Sequence, residues 1–166
     1  MEDRKGKVCC FTGHREIGGS YVVRLNEAVK DELEALIADG YTVFKAGGAL
    51  GFDMMAALNV ILKRKKYGFI RLDLYLPCRD QDRYWREFDK TTYEFIIKNA
   101  DSVTYVNERY TPYCMFARNR ALVDGSDLCV AFCFPKQNSG GTYYTMNYAS
   151  KKGVECRNLY YKLTRQ

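Results

Sequence analysis

Short apolar runs and amphipathic segments alternate along the whole chain, and this alternation constrains the fold more than any other feature of the sequence. The apolar runs are typical of strands and cover residues 7–11, 41–46, 69–76, 102–106, 128–134 and 157–163. Regular strand–helix alternation is typical of a parallel sheet with helices on both faces and right-handed crossovers. The sequence therefore predicts an α/β fold with three α/β/α layers and a mostly parallel central sheet.

The segments between the strands carry apolar residues at three- and four-residue spacing, as helices that pack on a sheet do. The first helix is predicted to end at Gly40, and the others to cover residues 53–66, 81–99, 114–125 and 141–152. The side chains expected to face inward from the first three helices are Val22, Leu25, Val29, Leu33, Leu36 and Ile37, then Ala57, Leu58, Ile61 and Leu62, then Trp85, Phe88, Phe95 and Ile96.

Composition favours a single globular domain without a membrane segment. A chain of 166 residues with 47% hydrophobic residues can bury an ordinary core. No apolar run approaches the ~18–20 residues of a membrane span. The first seven residues, Met-Glu-Asp-Arg-Lys-Gly-Lys, lack the apolar region of a signal peptide. We therefore expect a cytoplasmic protein with no membrane partner.

The cysteines and the single histidine argue against a disulfide framework or a metal site. Seven cysteines, without a C-x-x-C pair, suit small core residues better than cross-links. Cys9, Cys10, Cys129 and Cys133 lie in or beside predicted strands. The formal net charge of +6 suits an attraction to anions, nucleic acid included.

Glycine-rich turns follow the strands at positions where a parallel sheet binds ligands. They cover residues 12–15, 47–53 and 139–142, and a polar turn at 78–81 follows the third strand. Because the carboxyl ends of parallel strands meet at one edge, these turns should converge there. Glycine allows close backbone approach, and a helix N-terminus offers free N–H donors. The pattern predicts a phosphate-bearing ligand.

The first two turns supply candidates for phosphate and ribose contacts. In Thr12-Gly13-His14-Arg15, Arg15 could pair with a phosphate and His14 could hydrogen-bond a ribose or base; the alternative is a tight turn with an exposed arginine. Gly47, Gly48 and Gly51 do not match the dinucleotide fingerprint, which argues against a nicotinamide-dependent dehydrogenase, but they could cradle a phosphate or sugar. Asp53 could contact ribose or interact with the helix N-terminus.

The remaining candidates follow the third, fourth and fifth strands. Gln81 and Trp85 are expected on one helix face, with Trp85 either stacking on a base or packing in the core. Arg118 and Asn119 are expected to face the same edge, with Asp124 and Asp127 supporting the loops. The turn Ser139-Gly140-Gly141-Thr142 predicts an anion nest, with a simple helix N-cap as the alternative.

Taken together, these turns resemble the SLOG superfamily, a Rossmann-like group that includes the DprA and LOG proteins, and within it the YpsA-like branch. The resemblance rests on Thr12–Arg15, Gly48–Asp53, Pro77 with Gln81 and Trp85, residues 118–127, and Gly140-Gly141-Thr142. It implies a single Rossmann-like domain over residues 1–166, a nucleotide-derived ligand such as ADP-ribose or a nucleoside monophosphate, and a homodimer. No certain cofactor is implied.

The chain departs from the LOG phosphoribohydrolases, whose corresponding motif is P-G-G-x-G-T-x-x-E. Thr145 stands where that glutamate is expected, so the partner of an oxocarbenium-like transition state is missing. Three hypotheses follow: a nucleotide-binding or sensing domain, a hydrolase of an N-glycosidic or phosphoester bond using Asp53, Asp124 or Asp127, and a DprA-like single-stranded DNA binder. They are ranked in that order. Single-stranded DNA binding comes last because we see no second domain of the kind that DprA proteins add and no basic–aromatic stripe.

Overall fold

The computed structural model describes residues 6–164, and its elements confirm the predicted alternation. The strands are β1 (Lys7–Gly13), β2 (Tyr41–Ala46), β3 (Arg71–Leu76), β4 (Ser102–Tyr105), β5 (Leu128–Phe132) and β6 (Glu155–Asn158). The helices are α1 (Gly19–Ala38), α2 (Phe52–Arg64), α3 (Glu87–Asn99), α4 (Cys114–Val123), α5 (Gly141–Lys151) and α6 (Tyr160–Leu163). Most of the N-terminal segment judged unlike a signal peptide, residues 1–5, lies outside the described residues.

The strands form one sheet in the order β4-β3-β2-β1-β5-β6, and every pairing in it is parallel. Helices α1, α2, α3 and α6 pack together over one face, while α4 and α5 pack over the other. The three-layer fold is thus confirmed. The chain leaves β1 in one direction and returns to its other side at β5, which creates a switch point between these two strands.

The core lies on both sides of the sheet, and its size differs between them. The larger cluster joins the sheet to α1 and α2 through fully buried side chains such as Phe11, Phe44 and Leu72. The smaller one, beneath α4 and α5, consists of Cys10, Leu122, Val123, Cys129 and Ala149. The four cysteines predicted as core residues are all buried and free. Two neighbouring strands thus contribute small thiol side chains where the helices pack closely.

Two predicted elements differ from those observed by more than two residues at one end. Helix α3 begins at Glu87 rather than at 81, because successive turns precede it: the N–H of Trp85 donates to the Asp82 carbonyl (3.0 Å). The last strand ends at Asn158 rather than 163, because the Asn158 Oδ1 accepts the Tyr160 N–H (3.1 Å) and turns the chain into α6. Residues 81–86 therefore are not helical, and Gln81 and Trp85 do not share a helix face.

Four side chains predicted to face inward are instead exposed: Val22, Leu62, Phe88 and Phe95. The first three line a shallow surface groove where α1, α2 and α3 lie side by side. Helical spacing identifies the apolar stripe of a helix, but the width of the buried part depends on how closely the neighbouring helices approach. Within residues 6–164, none of the helices combines the length and apolar character that crossing a membrane requires.

Candidate ligand-binding site

A cavity of about 390 Å³ opens at the carboxyl edge of the sheet, at the switch point between β1 and β5. Residues from the β1 turn, the start of α2, helix α4 and the start of α5 line it. The structure brings together eleven of the predicted site residues here: Thr12, Gly13, His14, Arg15, Asp53, Arg118, Asn119, Ser139, Gly140, Gly141 and Thr142. We call this space the loop cavity.

The β1 turn and the beginning of α2 meet closely beneath the cavity. The Phe52 N–H donates to the His14 carbonyl (3.1 Å). A Cβ added at Gly51, whose φ is +80°, would lie 2.3 Å from the Arg15 carbonyl oxygen. At Gly13 it would lie 2.4 Å from the Phe52 ring. These two glycines therefore allow the two turns to pack against each other, which fixes the position of Arg15.

Arg118 is the most unusual side chain of the site, because it is charged and only 4% exposed. Its guanidinium donates to the Asn119 Oδ1 (2.8 Å), to the Gly47 carbonyl and to the Met115 Sδ (3.8 Å), three uncharged groups. Burial lowers the pKa of Arg118, while nearby Asp53 raises it. A buried guanidinium bonded only to neutral groups, within the described residues, is suited to receive an anion.

Arg15, from the turn after β1, contacts the same methionine as Arg118. Its Nη2 lies 3.8 Å from the Met115 Sδ, the same distance at which the Arg118 Nη2 contacts that sulfur. Arg15 is exposed and Arg118 is buried, and both guanidinium groups contact the same sulfur atom, so the two positive charges lie near one another. Like charges repel, and an anion placed between them would relieve that repulsion.

Asp53 is the carboxylate that lines this cavity, and it is 5% exposed. Its Oδ2 accepts the Ala49 N–H (3.4 Å). Burial raises its pKa to about 6, although Arg118, the Ala49 N–H and Arg15 all act to lower it. Burial thus outweighs the neighbouring positive charges, and the site retains a net positive character even when Asp53 is ionised.

His14 has a structural role that its position in the sequence did not reveal. Its Nε2 accepts the Phe134 N–H (3.0 Å), and its ring stacks on Phe134 with centroids 4.8 Å apart. Burial lowers the pKa of His14, which favours the neutral ring. The bond assigns the proton to Nδ1, the nitrogen left to meet a ligand.

The N-terminus of α5 forms another wall of the loop cavity. Gly140, within the predicted turn, is the N-cap residue of α5 with a φ of +93°, and no side chain among residues 6–164 caps the helix. The turn therefore begins α5 through Gly140, and its role as an anion nest stays a prediction. The Asn119 Nδ2 lies 3.6 Å from a Cβ built on Gly141, so an amide donor stands beside the free N–H groups of the first helical turn.

Five predicted site residues do not line the loop cavity: Gly47, Gly48, Gly51, Gln81 and Trp85. Gly47 lies beneath it, where an added Cβ would come within 2.7 Å of Arg118 and 2.9 Å of Asp53. The Gln81 amide donates to the Tyr93 hydroxyl (3.1 Å), and Trp85 packs edge-on against the same ring. The Gln81 amide also donates to the Gly48 carbonyl (3.5 Å), so Gln81 supports the Gly47–Gly48 turn, while Trp85 packs on Tyr93.

Three further expectations concern acidic groups and Thr145. Asp127 accepts the Val8 N–H (2.8 Å) at the opposite, amino edge of the sheet, and Asp124 accepts the Tyr148 hydroxyl (2.7 Å). Neither lines the loop cavity, so of the three carboxylates named for the hydrolase hypothesis Asp53 alone lies there. Thr145 is fully buried, and its hydroxyl donates to the Gly141 carbonyl (2.7 Å) within α5.

Sequence reasoning missed several lining residues, chiefly Met115, Phe116, Ala49, Pro112, Leu122 and Gln137. Met115 lies three residues before Arg118, so helical spacing places the two on neighbouring positions of α4. That spacing could have identified Met115, whereas Gln137 reaches the site through an irregular loop that carries no periodic signal.

The fold and the site define a class: a Rossmann-like α/β domain with an anion-suited cavity formed by loops at a topological switch point. The model of the YspA SLOG family matches residues 11–164, and the chain belongs to that family. This confirms the SLOG resemblance seen in its turns.

Curated relatives include UPF0398 proteins of Bacillus thuringiensis (strain Al Hakam) and Bacillus cereus (strain Q1). Each is 28% identical over 142 residues, which cover 84% of this chain and 77% of the relative. Among solved structures, the chain is similar to DNA processing protein A from Helicobacter pylori, a protein described as binding single-stranded DNA. That match has a TM-score of 0.63 and 18% identity, and it covers 91% of this chain but 64% of the other, so it supports the fold alone.

Proposed function

We propose that this protein binds a phosphate-bearing nucleotide derivative, such as ADP-ribose or a nucleoside monophosphate, in the loop cavity. The proposal rests on the arginine pair Arg15 and Arg118. Both guanidinium groups contact the Met115 sulfur, and the buried one, Arg118, is hydrogen-bonded to neutral groups. A phosphate there would receive donors from both guanidinium groups and from the uncapped N-terminus of α5.

The remaining groups of the cavity suit the ribose part of such a ligand. Asp53 is a carboxylate acceptor beside the two arginines, and the Nδ1 of His14 is a donor at the same opening. A volume of about 390 Å³ lies within the range of ligand pockets, which is ~300–1,000 Å³. The cavity therefore offers phosphate donors and a sugar acceptor within one small-molecule site.

Binding is favoured over hydrolysis because the cavity has little acid–base machinery. Asp53 is the single carboxylate among its described lining residues, and Thr145 is buried with its hydroxyl engaged inside α5. Cleavage of an N-glycosidic bond profits from a carboxylate opposite the developing positive charge. The hydrolase alternative would be established if the protein released a base or phosphate from one of the nucleotides tested below and if Asp53→Asn abolished that release.

The proposal is tested by thermal unfolding against ADP-ribose, NAD, AMP, cyclic nucleotides and a short single-stranded oligonucleotide. A ligand at 100 times its Kd adds about 2.7 kcal/mol of stability, which is readily detected. We expect Arg15→Ala to lower nucleotide affinity at least about tenfold, because a charge-assisted phosphate contact is lost. The matched control is Arg71→Ala, an exposed arginine at the amino edge of β3. Equal affinity of Arg15→Ala and wild type would refute the phosphate site.

Single-stranded DNA is the second candidate ligand, favoured by the similarity to DNA processing protein A and by the net charge of +6. A strand held through its phosphates would bind less tightly as salt rises, because counterion release drives such binding. The measurement is oligonucleotide affinity between 50 and 200 mM salt, which are about the concentrations where this dependence is steep. Undetectable or salt-independent binding would remove this candidate.

A further inference from the structure

A second groove adjoins the loop cavity on the outer face of α4 and α5. It has a volume of about 400 Å³ and is lined mainly by aromatic rings, with Lys151 at one end. Phe116 and Gly140 line both spaces. A ligand whose phosphate occupies the loop cavity could therefore continue past Gly140 into this groove, which we call the aromatic groove.

The rings of the aromatic groove are held in fixed positions. Phe116 packs edge-on against Tyr144, with centroids 4.6 Å apart and planes at 66°. The Arg120 Nη1 donates to the Tyr144 hydroxyl (2.9 Å), and the Tyr148 hydroxyl donates to the Asp124 carboxylate (2.7 Å). Because the hydroxyl ends are anchored, the apolar parts of these rings remain available to line the groove.

Tyr148 packs against the smaller core cluster, but packing of the core does not explain Phe116 and Tyr143. Phe116 and Tyr143 are each 37% exposed, and neither belongs to the buried clusters on the two faces of the sheet. Aromatic surfaces flanked by cationic groups suit planar, electron-rich rings carried by an anionic backbone. This combination lies directly beside a phosphate-suited cavity, which argues for a nucleobase and against a purely aliphatic occupant.

We propose that the aromatic groove is a base-binding subsite, in which Phe116 and Tyr144 contact the nucleobase of a ligand whose phosphate lies in the loop cavity. This assignment rests on the proposed nucleotide-binding function and deepens it. Arg15 and Arg118 would hold the phosphate, and the groove would distinguish a nucleotide from a base-free sugar phosphate.

The test compares AMP with ribose 5-phosphate in calorimetric titrations of the wild type and two variants of Tyr144. Tyr144→Leu removes the ring, and we expect about tenfold weaker AMP binding with ribose 5-phosphate unchanged, because base–aromatic stacking is lost. Tyr144→Phe keeps the ring, and we expect AMP binding close to that of wild type. Phe88→Leu on α3 is the control for an exposed ring away from both spaces.

A fluorescence measurement detects stacking directly. We expect the emission of 2-aminopurine riboside 5′-monophosphate to fall on binding to the wild type and to Tyr144→Phe, but less with Tyr144→Leu. If Tyr144→Leu does not fold, Phe116→Leu provides the same test at a partly exposed position. A 5′-phosphorylated deoxyadenosine trinucleotide tests whether the base belongs to a nucleic-acid strand. Tighter binding of the trinucleotide than of AMP, with the difference lost in Tyr144→Leu, would identify a strand as the ligand.

The outcomes separate the subsite from the function on which it rests. Equal affinity of the wild type for AMP and ribose 5-phosphate, or an equal loss of both in Tyr144→Leu, would overturn the subsite and leave the phosphate site standing. Failure of the wild type to bind AMP, ribose 5-phosphate or any of the nucleotides in the thermal-unfolding panel would overturn the proposed nucleotide-binding function, and the subsite with it.

Discussion

Asp53→Asn should stabilise the protein at neutral pH, although it removes a residue of the candidate site. Burial raises the pKa of Asp53 from its ordinary value of 3.8 to about 6, in spite of Arg118 nearby. Since one pKa unit corresponds to about 1.36 kcal/mol, the difference corresponds to about 3 kcal/mol of folding free energy. Asparagine keeps the size and an acceptor oxygen for the Ala49 N–H, without a charge to desolvate.

The sign and the pH range follow from the direction of the pKa change. Between about pH 4 and pH 6 the folded protein retains a proton on Asp53 that the unfolded chain releases, so stability falls as pH rises. Above about pH 6 Asp53 is ionised in the folded protein as well, so the full cost of burying its charge lowers the free energy of unfolding. The asparagine variant lacks this cost, so its advantage should be near zero below about pH 4 and reach about 3 kcal/mol at pH 7.

Urea unfolding of both proteins from pH 4 to pH 8 measures this difference directly. Asp31→Asn, at an exposed position on α1, is the control and should show no such pH-dependent gain. If Asp53 contacts ribose, Asp53→Asn should weaken the binding of ribose 5-phosphate relative to that of inorganic pyrophosphate, which lacks the sugar. A stability difference that is the same at pH 4 and pH 7, or an asparagine variant less stable at pH 7, would refute the reasoning.

Two other predictions concern the β1 turn. Gly51→Ala should destabilise the protein by at least about 1–3 kcal/mol, because its φ is +80° and the new Cβ would meet the Arg15 carbonyl at 2.3 Å. Chemical denaturation would measure this loss. The control is Gly68→Ala, which has open space around it and should not lower the free energy of unfolding. An equal effect of both changes would contradict the close packing of the turns. His14 should contribute fully to the free energy of unfolding above pH 6.5. This contribution should be lost as pH falls through the lowered pKa of His14 in the folded protein, because protonation of Nε2 breaks the hydrogen bond from the Phe134 N–H. His14→Gln should remove this dependence in unfolding curves, and an unchanged acid limb would show that another group causes it.

Much of the fold was predictable because its signals are local. The spacing of Leu25, Val29 and Leu33 reflects the helical period, and a run such as Tyr41–Ala46 fits a strand whichever neighbours it has. The errors occurred where local patterns compete. Phe88 and Trp85 suggested a longer α3, but the turns at residues 80–85 depend on where the chain must go after β3.

The candidate site was predictable in its location but not in its roles. Parallel strands place their carboxyl ends together, so the convergence of the β1 and β5 turns follows from the alternation alone. Which glycines face a ligand does not follow. Gly51 and Gly13 allow close contact between two turns that are distant from each other in the sequence, and Gln81 reaches Tyr93 instead of the cavity.

The sequence by itself determined the alternating elements, the parallel sheet and the edge at which polar turns collect, because these depend on periodicity and on residue types adjacent in the chain. The tertiary structure alone decided that Arg118 is buried among neutral partners, that Asp53 is desolvated beside it and that His14 is tied to Phe134. Burial and electrostatic environment are sums over neighbours brought from distant parts of the chain, and no local pattern encodes them.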